Sequence, residues 1–233
     1  MRIPHPPARW IDRLSTDWSG SVRETVHSEL KAVILDGAAP PGSPIPVDEV
    51  AARYACSRIP VREALMSLVG EGLVEHRPRA GYTVAAITAA ELREFYLVRE
   101  ALEAAALTAA VARADPGDDE RAAAAQTAMV AAVRAGDSRG HHRESRRFHM
   151  ALVEAAEMPR LRWMFEVAWN ITEPLRPMER TPARAVEQLN DDHERMLRAF
   201  VARDASALVA ASGAHHRRLR EFARPGAPDE PPA

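Results

Sequence analysis

The sequence predicts a mainly α-helical protein of two domains: three helices with a β-hairpin first, and an all-helical bundle behind them. Alanine is abundant and aromatic residues make up only 5% of the 233 residues, which favours close-packed helices over a β-sandwich. Runs typical of β-strands occur only near residue 80, whereas helical periodicity lies on both sides of them. We divide the chain into an N-terminal extension (1–19), a first domain (20–87), a helical domain (88–223) and a disordered tail (224–233).

Three helices are predicted to open the first domain. The first has one apolar face and ends before Gly37, because Pro40 and Pro41 forbid its continuation. The third begins at Ser57, whose hydroxyl is expected to cap the free amides, and carries Pro60 where a missing N–H costs little. These helices are predicted at 21–36, 47–54 and 57–70.

A hairpin is predicted next, because two β-prone runs, 73–76 and 82–84, flank a short basic segment with Arg77 and Arg79. Three helices followed by a hairpin make a winged helix-turn-helix.

Strand signals are missing from residue 88 onward. Thr88 and Glu91 have the spacing of a capping box, which opens a long helix to about residue 114. The segment 115–119 is predicted to break it. Further helices are predicted at 119–136, 138–157, 159–174, 183–203 and 205–223.

Charge and cysteine content limit the class of protein. The net charge is −2, so any nucleic acid must be bound by a local group of basic residues rather than by bulk charge. Cys56 is the only cysteine, which excludes an intramolecular disulfide and favours a reducing compartment. We find no signal peptide and no apolar run long enough for a membrane helix, and predict a cytoplasmic protein.

The third helix has the pattern of an element that reads DNA. Its apolar side carries Val61 and Leu65, and the opposite side carries Ser57, Arg58 and Arg62. Arginine can grip guanine or a phosphate at two points, and the helix N-terminus offers free amides to a phosphate. Alternatively, the arginines only solvate this face, with Arg62 paired to Glu63 or Glu71. The turn before the helix and the hairpin after it favour DNA binding; Arg77 and Arg79 would reach the flanking backbone or minor groove.

These residues resemble the DNA-binding domain of the GntR family of bacterial regulators. The matching runs are 57–65 (SRIPVREAL), 71–74 (EGLV) and 79–84 (RAGYTV). The resemblance implies that Ser57, Arg58, Ile59, Pro60 and Arg62 lie at the DNA, with Gly81 of the wing near its backbone. Asp48 departs from the pattern, since many relatives carry a basic DNA-contacting residue there, and we expect an altered operator preference.

Three histidines lie on the apolar faces of separate predicted helices: His149, His193 and His215. Each could be a core histidine with its own polar partner, or one divalent metal ion could satisfy all three. Neutral imidazole suits zinc or nickel. His141, His142 and His216 are expected to be solvated and are given no role.

The second domain resembles the FCD effector domain of the FadR subfamily of GntR regulators. The resemblance covers about residues 88–220 and rests on 96–103 (YLVREALE), 147–149 (RFH), 192–193 (DH), Asp204 and His215. In metal-binding relatives an aspartate joins three histidines and precedes the first by four residues. Ser145 stands at that position. Because a hydroxyl is a poorer ligand for a divalent cation, we assign Ser145 to effector binding and not to the metal.

Arg99 lies on the inward face of its predicted helix. It either forms an ion pair with Glu103 at i+4 or clamps the carboxylate of an effector beside the metal. The FCD resemblance favours the second.

The sequence as a whole predicts a metabolite-responsive transcriptional regulator, most often a repressor in this family, that binds a palindromic DNA site as a homodimer. An enzyme built on the histidines is one alternative, but the chain has no HExxH motif, nucleophile elbow, P-loop or dinucleotide fingerprint. A metal sensor, in which the ion is the signal, is another.

Overall fold

The computed structural model describes residues 9–17, 20–173 and 183–222. They form two compact units, one made of residues 9–17, 20–88 and 170–173, the other of residues 89–169 and 183–222. The tail predicted at 224–233 lies outside the described residues.

The first unit is a winged helix-turn-helix, as the sequence predicts. Its helices are α1 (Val22–Leu35), α2 (Val47–Arg53) and α3 (Arg58–Gly70), and its strands are β1 (Pro44–Ile45), β2 (Val74–Arg77) and β3 (Gly81–Val84). Ser21 and Glu24 form a reciprocal capping box at the start of α1. The buried apolar sides of α1 and α3 share one core, which includes Leu30 and Leu65.

The sheet has three strands rather than the two of the predicted hairpin. The strand order is β1-β3-β2 and both pairings are antiparallel. Ile45 of β1 lies opposite Tyr82 of β3. Strand β1 was missed because it is only two residues long and Pro44 and Pro46 flank Ile45, a composition that indicates a loop.

Residues 9–17, part of the N-terminal extension that the sequence predicts at 1–19, pack on the first unit. A 3-10 helix runs over Arg9–Arg13, and Trp10, Ile11 and Leu14 are buried in the core of the first unit. Arg53 of α2 secures the segment, since its guanidinium donates to the carbonyl oxygens of Asp12 and Leu14. The sequence did not predict the burial of this short apolar cluster, because prolines and charged residues flank it.

The second unit is all-helical over the residues described. Its helices are α4 (Ala89–Ala110), α5 (Pro116–Arg134), α6 (Ser138–Glu154), α7 (Pro159–Thr172), α8 (Ala183–Val201) and α9 (Ala205–Phe222). The predicted break between α4 and α5 is present but lies at 111–115 rather than 115–119, because Asp115 caps α5 and Pro116 occupies its first turn. Helix α9 packs against both α4 and α8, and α5 against α6.

Among the described residues, no helix has the length and apolar character needed to cross a lipid bilayer.

Candidate functional site

The predicted DNA-reading residues lie together on the surface at the start of α3. Ser57, Arg58, Ile59 and Arg62 are exposed and Pro60 is half-buried. Ile59 keeps 68% of its surface exposed, which is unusual for a large apolar side chain and suits contact with a thymine methyl group. Val61, Ala64, Leu65 and Leu68 face the core and hold the helix in place.

The predicted hydroxyl cap of Ser57 is wrong. Ser57 has the extended backbone of an N-cap residue, but its side chain makes no capping hydrogen bond. The Ser57 hydroxyl therefore accepts no hydrogen bond from the first backbone amides of α3. These amides lie at the positive end of the helix dipole, where a phosphate oxygen is a favourable partner.

The ion pairs of this surface differ from those considered for the sequence. Glu71 is bound by Lys31 at 2.7 Å and by His27 at 2.5 Å, so it is not the partner of Arg62. Arg58 instead contacts the carboxylate of Asp48 through its Nε atom. Asp48 is thus directly beside a predicted DNA-contacting arginine.

The wing presents its basic residues at the turn between β2 and β3. Arg77 pairs with Glu75 at 3.1 Å and Arg79 is exposed. Arg79 has φ +70° and Gly81 has φ +93°. The second value is readily adopted only by glycine, which explains the residue type at 81.

In the second unit, the structure brings His149, His193 and His215 together. They come from α6, α8 and α9, all three are buried, and one ligand atom of each lies within 4.8 Å of the others. The Nε2 atoms of His149 and His193 are 3.1 Å apart. Burial, together with the neighbouring imidazoles, lowers the pKa of His193 and of His215 well below the ordinary range, so both rings stay neutral at pH 7.

Beside the cluster lies a cavity of about 30 Å³. Since one water needs roughly 10–15 Å³ on this measure, the cavity has room for only a few small atoms. It is lined by Tyr96, Arg99, His141, His142, Ser145, Trp169, Leu189, His193, His215 and Leu219. Both predicted effector residues, Arg99 and Ser145, are therefore at the same cavity as two of the histidines.

Arg99 is 4% exposed, and its guanidinium carbon lies 3.4 Å from the ring centre of Trp169. Stacking on an aromatic face stabilises a cation that has left water. The carboxylate of Glu103, the alternative partner, is instead bound by His149, Ser212 and His216.

The expectation that His141, His142 and His216 are solvated is wrong. His141 and His216 are buried, and His142 is half-buried at the cavity. Adjacent residues of a helix point about 100° apart, so a single inward face was expected to hold only one of His215 and His216. Both are inside because α9 is covered on two sides: His215 lies against His193 of α8, and His216 binds Glu103 of α4.

Glu103 contacts the buried histidines, and the sequence did not predict this role. Burial opposes its ionisation, but His149 and His216 hold the pKa of Glu103 well below its ordinary value. Its position four residues after Arg99 did indicate an inward face, but nothing in the sequence showed that histidines from two other helices meet it there.

Two family models match the chain. Residues 22–84 match the bacterial regulatory proteins of the gntR family, and residues 94–218 match the FCD domain.

Known relatives agree with the models. An HTH-type transcriptional regulator in the TAR-I ttuE-ttuC' intergenic region of Agrobacterium vitis is 34% identical over 61% of this chain and 84% of its own length. A probable D-xylose utilization operon transcriptional repressor of Paenarthrobacter nicotinovorans is 33% identical over 58% of this chain and 61% of its own length.

The solved structure of Escherichia coli McbR/YncC shares the fold, with a TM-score of 0.74 at 24% identity over 85% of this chain and 95% of that one. The family and these relatives are transcriptional regulators, which confirms the prediction that the protein is not an enzyme. The chain belongs to the GntR family of bacterial regulatory proteins, as a DNA-binding transcriptional regulator with an FCD domain.

Proposed function

We propose that the protein is a cytoplasmic repressor that binds a palindromic operator as a homodimer, through Ser57 to Arg62 of α3 and the wing. A small carboxylate metabolite, held in the cavity of the FCD domain, releases it from DNA. The role of repressor is supported by the similarity to the probable transcriptional repressor of Paenarthrobacter nicotinovorans. The choice of a carboxylate as effector is supported by the cavity, because Arg99 lines it.

The observation that carries the proposal is a buried cation at a cavity among neutral imidazoles. Arg99 is almost fully buried and lines the cavity with His193 and His215, whose rings are uncharged at pH 7. A guanidinium binds a carboxylate or a phosphate at two points, and the small cavity favours the smaller, planar carboxylate.

The three histidines also fit a divalent metal ion. Tetrahedral bonds of about 2.0–2.1 Å from zinc to imidazole place ligand nitrogens roughly 3.3 Å apart, close to the 3.1 Å between the Nε2 atoms of His149 and His193. His149, His193 and His215 would hold the ion, and zinc or nickel suits three neutral nitrogens. When bound, the ion would supply a Lewis acid for one oxygen of the carboxylate.

Ser145 lines the cavity, and its hydroxyl is a poorer ligand for a divalent cation than a carboxylate. We therefore expect three protein ligands and open positions for water or the effector. The metal would then be held more weakly without effector than with it.

The test is a comparison of effector response. The operator is first obtained by selection from genomic fragments, and organic acids are then screened for release of wild-type protein from it, with Zn²⁺ or with a chelator present. Arg99→Ala is expected to bind DNA normally and to lose the response by at least tenfold, since a buried charged hydrogen bond contributes roughly 1.5–3 kcal/mol.

Arg93→Ala is the matched control, because Arg93 is an exposed arginine on the same helix. An equal response of wild type and Arg99→Ala would contradict the assignment of Arg99. Release by Zn²⁺ alone would favour the metal-sensor alternative, which the small cavity also suits.

A further inference from the structure

The side chain of Glu103 joins three other residues in the interior of the FCD domain. It is fully buried, and its Oε1 atom contacts Nδ1 of His149. Its Oε2 atom lies 2.7 Å from both the Ser212 hydroxyl and Nε2 of His216. All of these contacts are shielded from water.

The arrangement dictates where the protons lie. An ionised carboxylate can only accept hydrogen bonds, so His149 donates from Nδ1 and His216 from Nε2. A neutral His149 with its proton on Nδ1 has its lone pair on Nε2. That is the atom 3.1 Å from Nε2 of His193, within the three-histidine cluster.

We propose that Glu103 is a positioning residue for the metal site: it selects the tautomer of His149 and fixes its ring, so that Nε2 is ready to bind the ion. The inference rests on the proposed metal site. A carboxylate that accepts from the second nitrogen of a ligating histidine orients the ring and raises its basicity. The negative charge of Glu103, one helical turn after the buried Arg99, would also lower the cost of holding a metal cation out of water.

A purely structural role would give the same hydrogen bonds but would leave metal affinity unaffected. Metal affinity and the spectrum of a bound metal therefore distinguish the two roles, whereas stability alone does not.

The first measurement uses wild-type protein freed of metal. Long-range ¹H–¹⁵N NMR of its histidines reports the tautomer of each ring, with His149→Gln used to assign the signal. His149 is expected with its proton on Nδ1. A proton on Nε2 would overturn the proposal without any variant of Glu103.

The second measurement compares Zn²⁺ affinity, by competition with a chromogenic chelator, and the visible spectrum of bound Co²⁺. Glu103→Gln is expected to lower the affinity 10–100-fold and to alter the Co²⁺ spectrum. Glu144→Gln is the matched control, because Glu144 is a buried carboxylate of α6 that pairs with Arg143 and Arg147.

The outcomes separate the two proposals. If wild type binds neither ion, the proposed metal site fails. If wild type binds and Glu103→Gln has the same affinity and spectrum, the metal site stands and the role of Glu103 is wrong. If Glu103→Gln does not fold, Glu103→Asp, which keeps the carboxylate but shortens its reach to Nδ1 of His149, is measured in its place by the same two readouts.

Discussion

Among the side chains of the proposed DNA-binding surface, Asp48 is the least expected. Its carboxylate contacts Nε of Arg58, so the pair presents less net charge to phosphates than an isolated arginine does. The contact runs through Nε of Arg58, whereas an arginine reads a guanine edge with its terminal nitrogens. Asp48 should therefore weaken non-specific binding more than operator binding.

Asp48→Asn is expected to tighten binding to a non-specific duplex and to steepen its salt dependence, because Arg58 can then neutralise a phosphate. The slope of log K against log salt should become more negative by up to about 0.9, the value for one phosphate. Fluorescence anisotropy over a range of KCl measures it. Glu49→Gln removes an exposed charge from the next position and controls for net charge; an equal change in both variants would contradict the local effect.

Replacing Arg62 and replacing Arg79 should impair DNA binding in different ways. Arg62→Ala is expected to lower operator affinity by about 1–3 kcal/mol while changing non-specific binding little, since it lies on the exposed face of α3. Arg79→Ala, at the tip of the wing, should weaken binding to all sequences alike. Titration of both duplexes with each variant separates the effects, and identical losses on operator and random DNA for Arg62→Ala would refute its role in base reading.

Among the helices, the contact between α1 and the end of α3 depends on one carboxylate. Glu71 follows α3 directly and binds Lys31 and His27 of α1. Burial opposes ionisation, but the hydrogen bonds from Lys31 and His27 keep the pKa of Glu71 below its ordinary value of 4.5. A lowered folded-state pKa means that this stabilisation is present above pH 4.5 and is lost as the pH falls through the folded value.

Glu71→Gln should therefore destabilise the first unit by about 1 kcal/mol at pH 7. The difference should shrink as the pH is lowered below 4.5. Urea unfolding of the full chain at pH 7 and at pH 3, followed by pulsed hydrogen exchange in the peptides that contain α1 and α3, measures the difference. A deficit of the same size at both pH values would show that the carboxylate charge is not its source.

The helices were predictable because their apolar residues recur with helical spacing. Their caps were less predictable: Ser57 makes no capping hydrogen bond, and Asp115, which caps α5, was assigned to a break. The short elements were not: β1 and the 3-10 helix of Arg9–Arg13 form only because the rest of the first unit provides a surface for them. At the site, His149, His193 and His215 were found because each lies on an apolar face. Glu103 and His216 escaped because their roles depend on which helices become neighbours.

For the molecule as a whole, the proposed metal and effector must obey linkage. If an effector carboxylate completes the coordination that Ser145 leaves open, each ligand strengthens the binding of the other by the same factor. Effector at saturation should lower the dissociation constant for Zn²⁺ as much as Zn²⁺ lowers that of the effector. Calorimetric titrations in both orders measure the two factors. Unequal factors would mean that the ligands are not bound as proposed, and two factors of one would show independent sites.

The small size of the cavity has a mechanical consequence. Its walls come from different helices, with Arg99 on α4, Ser145 on α6, His193 on α8 and His215 on α9. Packed interiors do not stretch gradually, so a head group larger than the space of about 30 Å³ acts as a wedge that parts these helices. Separating the packed helices costs free energy, and this cost reduces the free energy of effector binding. Effector size, and not affinity alone, would then set how strongly a given metabolite induces release.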